Sequence, residues 1–333
     1  MIESIKKKYN MAILLTGGLG YIGSHIATLI NKKTIIIDNL SNSLLNYKKY
    51  LPNSIVYKLD LNKKSLNKIF KEHKIDGVIH LAGFKSVNES INSPLKYYTN
   101  NIISTLELIE SMDRFKINKL IFSSSATVYG DQHSSPLKES YSLNSTNPYA
   151  SSKIIIEQMI KDYAKSNPNF KAIVLRYFNP LGANIKKGLA DLPIGKAQNI
   201  MPILVKSVKQ NKKFKIFGND YDTDDGTCIR DYIHIEDLAE AHLIALKKLS
   251  KIKGYIPINI GLGKGISVLE LIRIFEKANK VSINYSFSQR RKGDVAVSFA
   301  NTEMSKKILR WKPRYSYKKM MIDSWQSFLK NSK

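Results

Sequence analysis

The chain has 333 residues, 43% of them hydrophobic, which is enough for a large core and excludes a disordered or low-complexity protein. No apolar run reaches the roughly eighteen residues of a membrane span. The N-terminal stretch MIESIKKKYN lacks the apolar centre of a signal peptide, so no membrane partner is expected. The net charge of +26, from 53 Lys and Arg against 27 Asp and Glu, is spread along the chain and not gathered in an arm. That argues against nucleic acid as a partner and leaves a surface that attracts an anionic substrate.

In chain order, MAILLTGG predicts a buried strand over 11–15 closed by a glycine turn, followed by a helix over 20–31. TIIID is a second strand, DGVIHLAG a third near 78–81, KLIFSSS a fourth and KAIVLRYF a fifth. Helices over 65–73, 95–112 and 149–165 fill the intervals. Continuous apolar strands alternating with helices predict an α/β fold, a Rossmann-type doubly wound parallel sheet covered on both faces.

After RYFNP the pattern turns irregular. Residues 181–200 read as a loop, followed by a helix over 203–209, a strand FKIFG and a polar loop NDYDTDDGTC. A helix over 235–249 and a strand YIPINIG return to the main sheet, and the segment from SVLELIRIFEKAN onward completes a smaller lobe. Residues 11–179, with a return segment near 232–260, are expected to form the nucleotide-binding domain. Residues 180–231 and 261–333 form a smaller, interleaved C-terminal α/β lobe for substrate.

Three short patterns carry chemistry. TGGLGYIG places Gly17, Gly20 and Gly23 directly between a strand and a helix. That spacing gives a tight turn, close backbone approach to a pyrophosphate and close packing of helix on strand, with free amides at the helix start. The second strand ends at Asp38, where a carboxylate can bind ribose hydroxyls and repel a 2′-phosphate, so NAD is favoured over NADP. In NPYASSK, Pro148 suits a first helical turn and places Tyr149 and Lys153 on one face, where the ammonium would lower the phenol pKa. Such a pair is either a proton-transfer device or two neighbours on a helix surface. The one cysteine, Cys228, cannot form an internal disulfide, so a reducing cytoplasm is the expected compartment. No histidine pair has metal-binding spacing, and no metal is expected.

The glycine loop, the serine run SSSATVYG and the Tyr149/Lys153 pair, in that order, resemble the extended short-chain dehydrogenase/reductases. TGGLGYIGSH, HLAGFKSVNES, PLKYYTNN, FSSSATVYGDQ, NPYASSK, LRYFNPLGA, IFGNDYDTDDGTCIRDYIHIEDLA and RRKGDV narrow the resemblance to the UDP-glucose 4-epimerases (UDP-galactose 4-epimerases). The resemblance implies that Tyr149 is the acid/base, that Lys153 binds the nicotinamide ribose and depresses the tyrosine pKa, and that Ser125 hydrogen-bonds the sugar O4 with Thr127 close by. It implies cofactor contacts at Gly17, Gly20, Tyr21, Ile22, Gly23, Asp38, Asn39, Asp60, Leu61, Lys85, Asn100 and Tyr177. On the substrate side it implies Asn179, Asn199, Arg230 and Arg291 along the nucleotide and diphosphate, Asp294 at the uridine ribose, and Ser298 beside the sugar C2 substituent.

The reaction so implied is reversible C4 epimerisation of a UDP-sugar through a 4-keto intermediate. Serine at 298 is small, which leaves room for an N-acetyl group. A 4,6-dehydratase would need an acid after the serine run, where this chain has Ala126-Thr127-Val128. A UDP-pentose or UDP-hexuronate 4-epimerase is the nearest chemical alternative. A non-catalytic NAD-binding regulator should lack the tyrosine or the lysine. By the same resemblance, helices 95–112 and 149–165 pair across a homodimer. The residues Ile154, Ile155, Ile156, Met159 and Ile160 make the second helix apolar enough for that role.

Overall fold

The computed structural model describes residues 11–331 except 44, 196 and 292. The N-terminal stretch behind the signal-peptide expectation lies outside the described residues. The chain divides into two compact units. The first runs to Val128 and adds Asn147–Arg176 and Ala239–Ile258; the second comprises Tyr129–Thr146, Tyr177–Leu238 and the chain from Asn259 onward. The sequence reading put residues 129–146 in the first lobe. They cluster instead with the second, where Leu137 exchanges backbone hydrogen bonds with Phe299 and Asn301.

The first unit is built on a seven-stranded sheet: β1 (Ala12–Thr16), β2 (Thr34–Asp38), β3 (Ser54–Lys58), β4 (Ile75–His80), β5 (Lys119–Ser125), β6 (Lys171–Tyr177) and β7 (Gly254–Ile260). Their order across the sheet is β7-β6-β5-β4-β1-β2-β3. Pairings from β3 through β2, β1 and β4 to β5 are parallel. The order reverses at β1, and in such sheets ligands bind beyond the strand carboxyl ends at the reversal. β1 and β2 are buried at every position, as strands covered on both faces must be. β3 is as long as β1 and β2 but lacks a continuous apolar run, because Ser54–Lys58 is half-exposed, and so it gives no strand signal in the sequence.

The sheet's apolar residues and those of its helices form one cluster, including Leu14, Ile35, Leu66, Val78, Leu108, Phe122, Ile156 and Val174. The expected helix over 95–112 is Pro94–Tyr97, then a wider π turn over Tyr98–Ile103, then Ser104–Arg114. Such turns interrupt α-helices mostly at functional sites, and this one carries Asn100 and Asn101.

The second unit holds three small sheets. Asn179–Leu181 pairs in parallel with Tyr232–His234, and Phe214–Phe217 with Tyr285–Ser288. Ile229–Arg230 lies between Ile266–Ser267 and Val297–Ser298. Its own core gathers Leu204, Phe214, Tyr232, Leu271, Phe275 and Met321.

Candidate active site

Asn147 caps the Pro148–Ser166 helix, its side chain accepting the Ala150 amide at 2.9 Å, and Pro148 occupies the first turn, where no amide is needed. Tyr149 and Lys153 follow on one face, and both are buried, at 9% and 6% exposure. They pack against the end of β5. Lys153 Nζ donates to the Ser123 carbonyl at 2.8 Å and lies 4.6 Å from the Phe122 ring centroid and 5.9 Å from that of Tyr149. The Ser125 hydroxyl hydrogen-bonds the Tyr149 phenol. Thr127 Oγ1 donates to Ser125 Oγ at 3.0 Å. Tyr149, Lys153, Ser125 and Thr127 thus share one spot, and the helix-surface alternative is excluded.

One expectation needs correction. Proximity to Lys153 was to lower the Tyr149 pKa, but burial raises it, with the Ser125 hydrogen bond pulling the other way. The ammonium is committed to the Ser123 carbonyl, and burial pushes Lys153 itself down to about 8, against the opposing charge of Glu157. In the free protein, desolvation outweighs the hydrogen bond from Ser125.

The glycines divide their work. Gly17 has φ +67° and a Cβ there would lie 2.9 Å from Ala82 N, while a Cβ on Gly23 would collide with Gly17 O. Both are fixed by packing. A Cβ on Gly20 would meet a single atom, Gly17 O at 3.4 Å, so the open side of the loop is at Gly20. The following helix, Tyr21–Ala27, starts with no side-chain cap, with Tyr21 buried and Ile22 half-buried. Asp38 Oδ2 accepts the Leu19 amide at 3.0 Å, and Oδ1 accepts the Leu40 amide and the Ser43 hydroxyl. Its carboxylate therefore shapes the loop and still has acceptor capacity. Asn39 Nδ2 donates to Asp60 Oδ1 at 2.9 Å, which joins the ends of β2 and β3, with Leu61 next to them. Lys85 is exposed, and Asn100 donates to Asn101. Tyr177 ends β6 and is half-buried. The glycine loop, the carboxylate at the β2 end and the Tyr149/Lys153 pair fit a dinucleotide.

In the second unit, Arg230 and Ser298 are partners in a parallel ladder. The Arg230 guanidinium reaches the Ile229 carbonyl at 2.8 Å and lies 3.8 Å from Asp294. Arg291 stacks on Phe217, 3.9 Å from the ring centroid. Asn199 donates to Asp191 at 2.7 Å, and Asn179 is exposed on its short strand. Arg230, Asp294 and Ser298 come together; Asn199 is engaged in a loop contact of its own.

The profile of the NAD dependent epimerase/dehydratase family matches residues 13–261. The chain belongs to that family. Among similar family members is the UDP-glucose 4-epimerase of Erwinia amylovora, 44% identical over 95% of this chain and 97% of its own length. Among solved structures, the UDP-glucose 4-epimerase of Bifidobacterium longum in complex with NAD+ and UDP is 36% identical. It superposes with a TM-score of 0.92 over 97% of this chain and 99% of its own. The UDP-Glc/GlcNAc 4-epimerase of Campylobacter jejuni is 34% identical with a TM-score of 0.83 over 96% of this chain and 99% of its own.

Several residues of this family member stayed invisible in the sequence reading. Asn101 is buried and ties the loop at Phe84 to the helix at Ser152. Asp231 is buried and accepts the amides of Leu262, Gly263 and Ala300, which braces the strand bearing Arg230. Glu157 pairs with Arg176 at 2.6 Å, both buried. The signal for Glu157 was its spacing, one further helical turn beyond Lys153.

Proposed function

We propose that this chain catalyses the reversible, NAD-dependent C4 epimerisation of UDP-glucose and UDP-galactose. The observation that carries the proposal is the buried Tyr149–Ser125 contact with Lys153 one turn on, at the strand ends of a dinucleotide fold, in a chain 44% identical to a UDP-glucose 4-epimerase. When bound, NAD supplies the acceptor for the C4 hydride and its return, with a 4-keto sugar between. Tyr149 takes the O4 proton and gives it back. Ser125 holds the O4 oxygen, with Thr127 fixing the serine rotamer. Lys153 keeps a cation beside the phenol, anchored on the Ser123 carbonyl. General acid–base steps of this kind are worth about 10²–10⁴-fold. Gly17, Gly20, Tyr21, Ile22 and Gly23 cradle the pyrophosphate, Asp38 and Asn39 hold the adenosine ribose, and Asp60, Leu61, Lys85, Asn100 and Tyr177 line the remaining cofactor site. Arg230 and Arg291 meet the diphosphate, with Asn179, Asn199 and Asp294 along the nucleotide.

Ser298 is half-buried beside Arg230, and its small side chain admits an acetamido group, so the proposal extends to UDP-N-acetylgalactosamine. A homodimer is part of the same reading. Leu95 (77% exposed), Ile103, Leu106 and Ile155 lie bare on the two helices expected to pair, although Ile156 and Ile160 turn into the core and are unavailable. No helix among the described residues is long and apolar enough to cross a membrane; the single, buried Cys228 suits work in the cytoplasm.

The test is a panel of UDP-sugars incubated with purified protein. UDP-glucose should form from UDP-galactose without added cofactor, and denaturation should release NAD with little NADP. No turnover of UDP-galactose refutes the reading.

A further inference from the structure

The run Ser123-Ser124-Ser125 leaves the sheet with each residue tied to a different place. Ser123 offers its carbonyl to Lys153, and Ser125 its hydroxyl to Tyr149. Ser124, fully buried between them, donates to Glu157 Oε1 at 2.6 Å. Glu157 lies one helical turn beyond Lys153, which lies one turn beyond Tyr149, so the three side chains form one stripe. Two more strands close on the same carboxylate. Arg176 of β6 donates through Nε at 3.0 Å and Nη2 at 2.6 Å, and the Tyr255 hydroxyl of β7 at 2.7 Å.

Building on the epimerase reading above, we propose that Glu157 is a positioning residue for that reaction: its carboxylate locks the serine run to the Tyr149 helix and holds Lys153 as a cation beside the phenol.

A buried carboxylate is costly unless its lone pairs are filled, and here donors from β5, β6 and β7 fill them. The structure thus spends a charge where an apolar side chain would serve for packing. Lys153, for its part, is buried with a neutral carbonyl as partner, and burial pulls it down to about 8 with Glu157 as the opposing influence. The other groups around the lysine do not replace that influence. Burial keeps the Tyr149 phenol neutral, and His80 of β4, held between Thr16 and Thr105, is driven down to about 3 and carries no charge. His242 meets the Ser123 hydroxyl at 3.3 Å, and Arg176 is itself a cation turned toward Glu157. Among these groups Glu157 alone is a carboxylic side chain.

The experiment is a pH titration of the NAD-loaded protein by 13Cε-lysine NMR, with the Lys153 signal assigned by its loss in Lys153→Arg. An unperturbed lysine side chain titrates at about 10.4, so a Lys153 signal pushed down by burial would stand apart from that reference. Glu157→Gln should lower the Lys153 midpoint by about half a unit or more. It should also move the alkaline fall of kcat for UDP-galactose in the same direction, and lower kcat about tenfold with KM within about twofold. Ser124→Ala leaves the Glu157–Arg176 pair whole. It should leave the lysine midpoint in place and lower kcat about fivefold without loss of NAD. An unmoved Lys153 midpoint in Glu157→Gln overturns the proposal, as does wild-type kcat in Ser124→Ala. The second variant decides alone if the first fails to fold. Wild-type protein inactive on UDP-galactose refutes the functional reading instead, and the lysine titration still reports on Glu157.

Discussion

In the first unit the side chains proposed to react hang from long elements packed on both sides: β5, and a helix of 19 residues whose start is capped. Tyr149, Lys153 and Ser125 already hold their partners; Tyr149 and Lys153 are buried and Ser125 is half-buried. In the second unit the candidate substrate residues stand on strands of two or three residues and on loops. Arg291 is stacked on Phe217, and Arg230 is shared between a carbonyl and a carboxylate 3.8 Å away. The proposed acid–base group, Tyr149, sits in a buried setting that raises its proton affinity. The arginines proposed to bind the diphosphate keep interim partners that they can exchange for phosphate oxygens. Changes in the first unit should therefore fall on kcat, and changes in the second on KM or on the choice of substrate.

Tyr149→Phe is the sharpest test. It should keep the fold and bound NAD and lower kcat by about a hundredfold or more, as loss of an acid–base group does. Turnover within about twofold of wild type would remove Tyr149 from the mechanism. Ser298→Tyr probes the other unit: wild type should turn over both UDP-galactose and UDP-N-acetylgalactosamine, and the variant should lose the second while keeping most of the first, because a steric block penalises the bulkier sugar. Wild-type protein inactive on the N-acetylated sugar would sink the gate. Arg291→Lys keeps the charge but loses the stacking and the fork that suits phosphate. It should raise KM for UDP-galactose about tenfold and change kcat less than about twofold; equal losses in both would erase the contrast between the units.

The smallest expected effect on rate is at Asp231, where the consequence is pH-dependent stability. Burial raises this carboxyl from 3.8 to about 6 despite its three amide donors. Between those values the folded chain holds a proton that the unfolded chain has released. Wild-type stability therefore declines as pH rises through the window, by about 3 kcal/mol at most. Asp231→Asn lacks this titration and should gain on wild type between about pH 4 and pH 6 in urea unfolding. Parallel pH curves for the two proteins would contradict the assignment.

How much of this the sequence disclosed depends on distance along the chain. The glycine loop, the β2 carboxylate and the Tyr149/Lys153 spacing are local, and strand or helix periodicity places each of them directly. Arg230 lies 64 and 68 residues before Asp294 and Ser298 in sequence and meets them through strand pairing, which periodicity does not register. They were reachable by resemblance alone. The Glu157–Arg176–Ser124–Tyr255 cluster spans four elements, and the local pattern marks no more of it than the helical spacing of Glu157 from Lys153. The direction of the Tyr149 shift was misjudged because spacing reports which charges are near, while burial decides how much the phenol resists ionising. The π turn at 98–103 and the strand Ser54–Lys58 were missed for a related reason: neither has a strong period of its own, and each is held by its neighbours.

The late arrival of β7 has a consequence for synthesis. The first unit needs Tyr255 to complete the shell around Glu157, and that residue is made 78 positions after β6 ends at Tyr177. During translation the nascent sheet stays one strand short while all of Tyr177–Leu238, and the chain on to Lys253, is made. The emerging chain thus carries an open sheet edge at β6, of the kind that invites mispairing. A fragment stopped after Tyr177 would preserve Tyr149, Lys153 and Ser125 and still expose that edge.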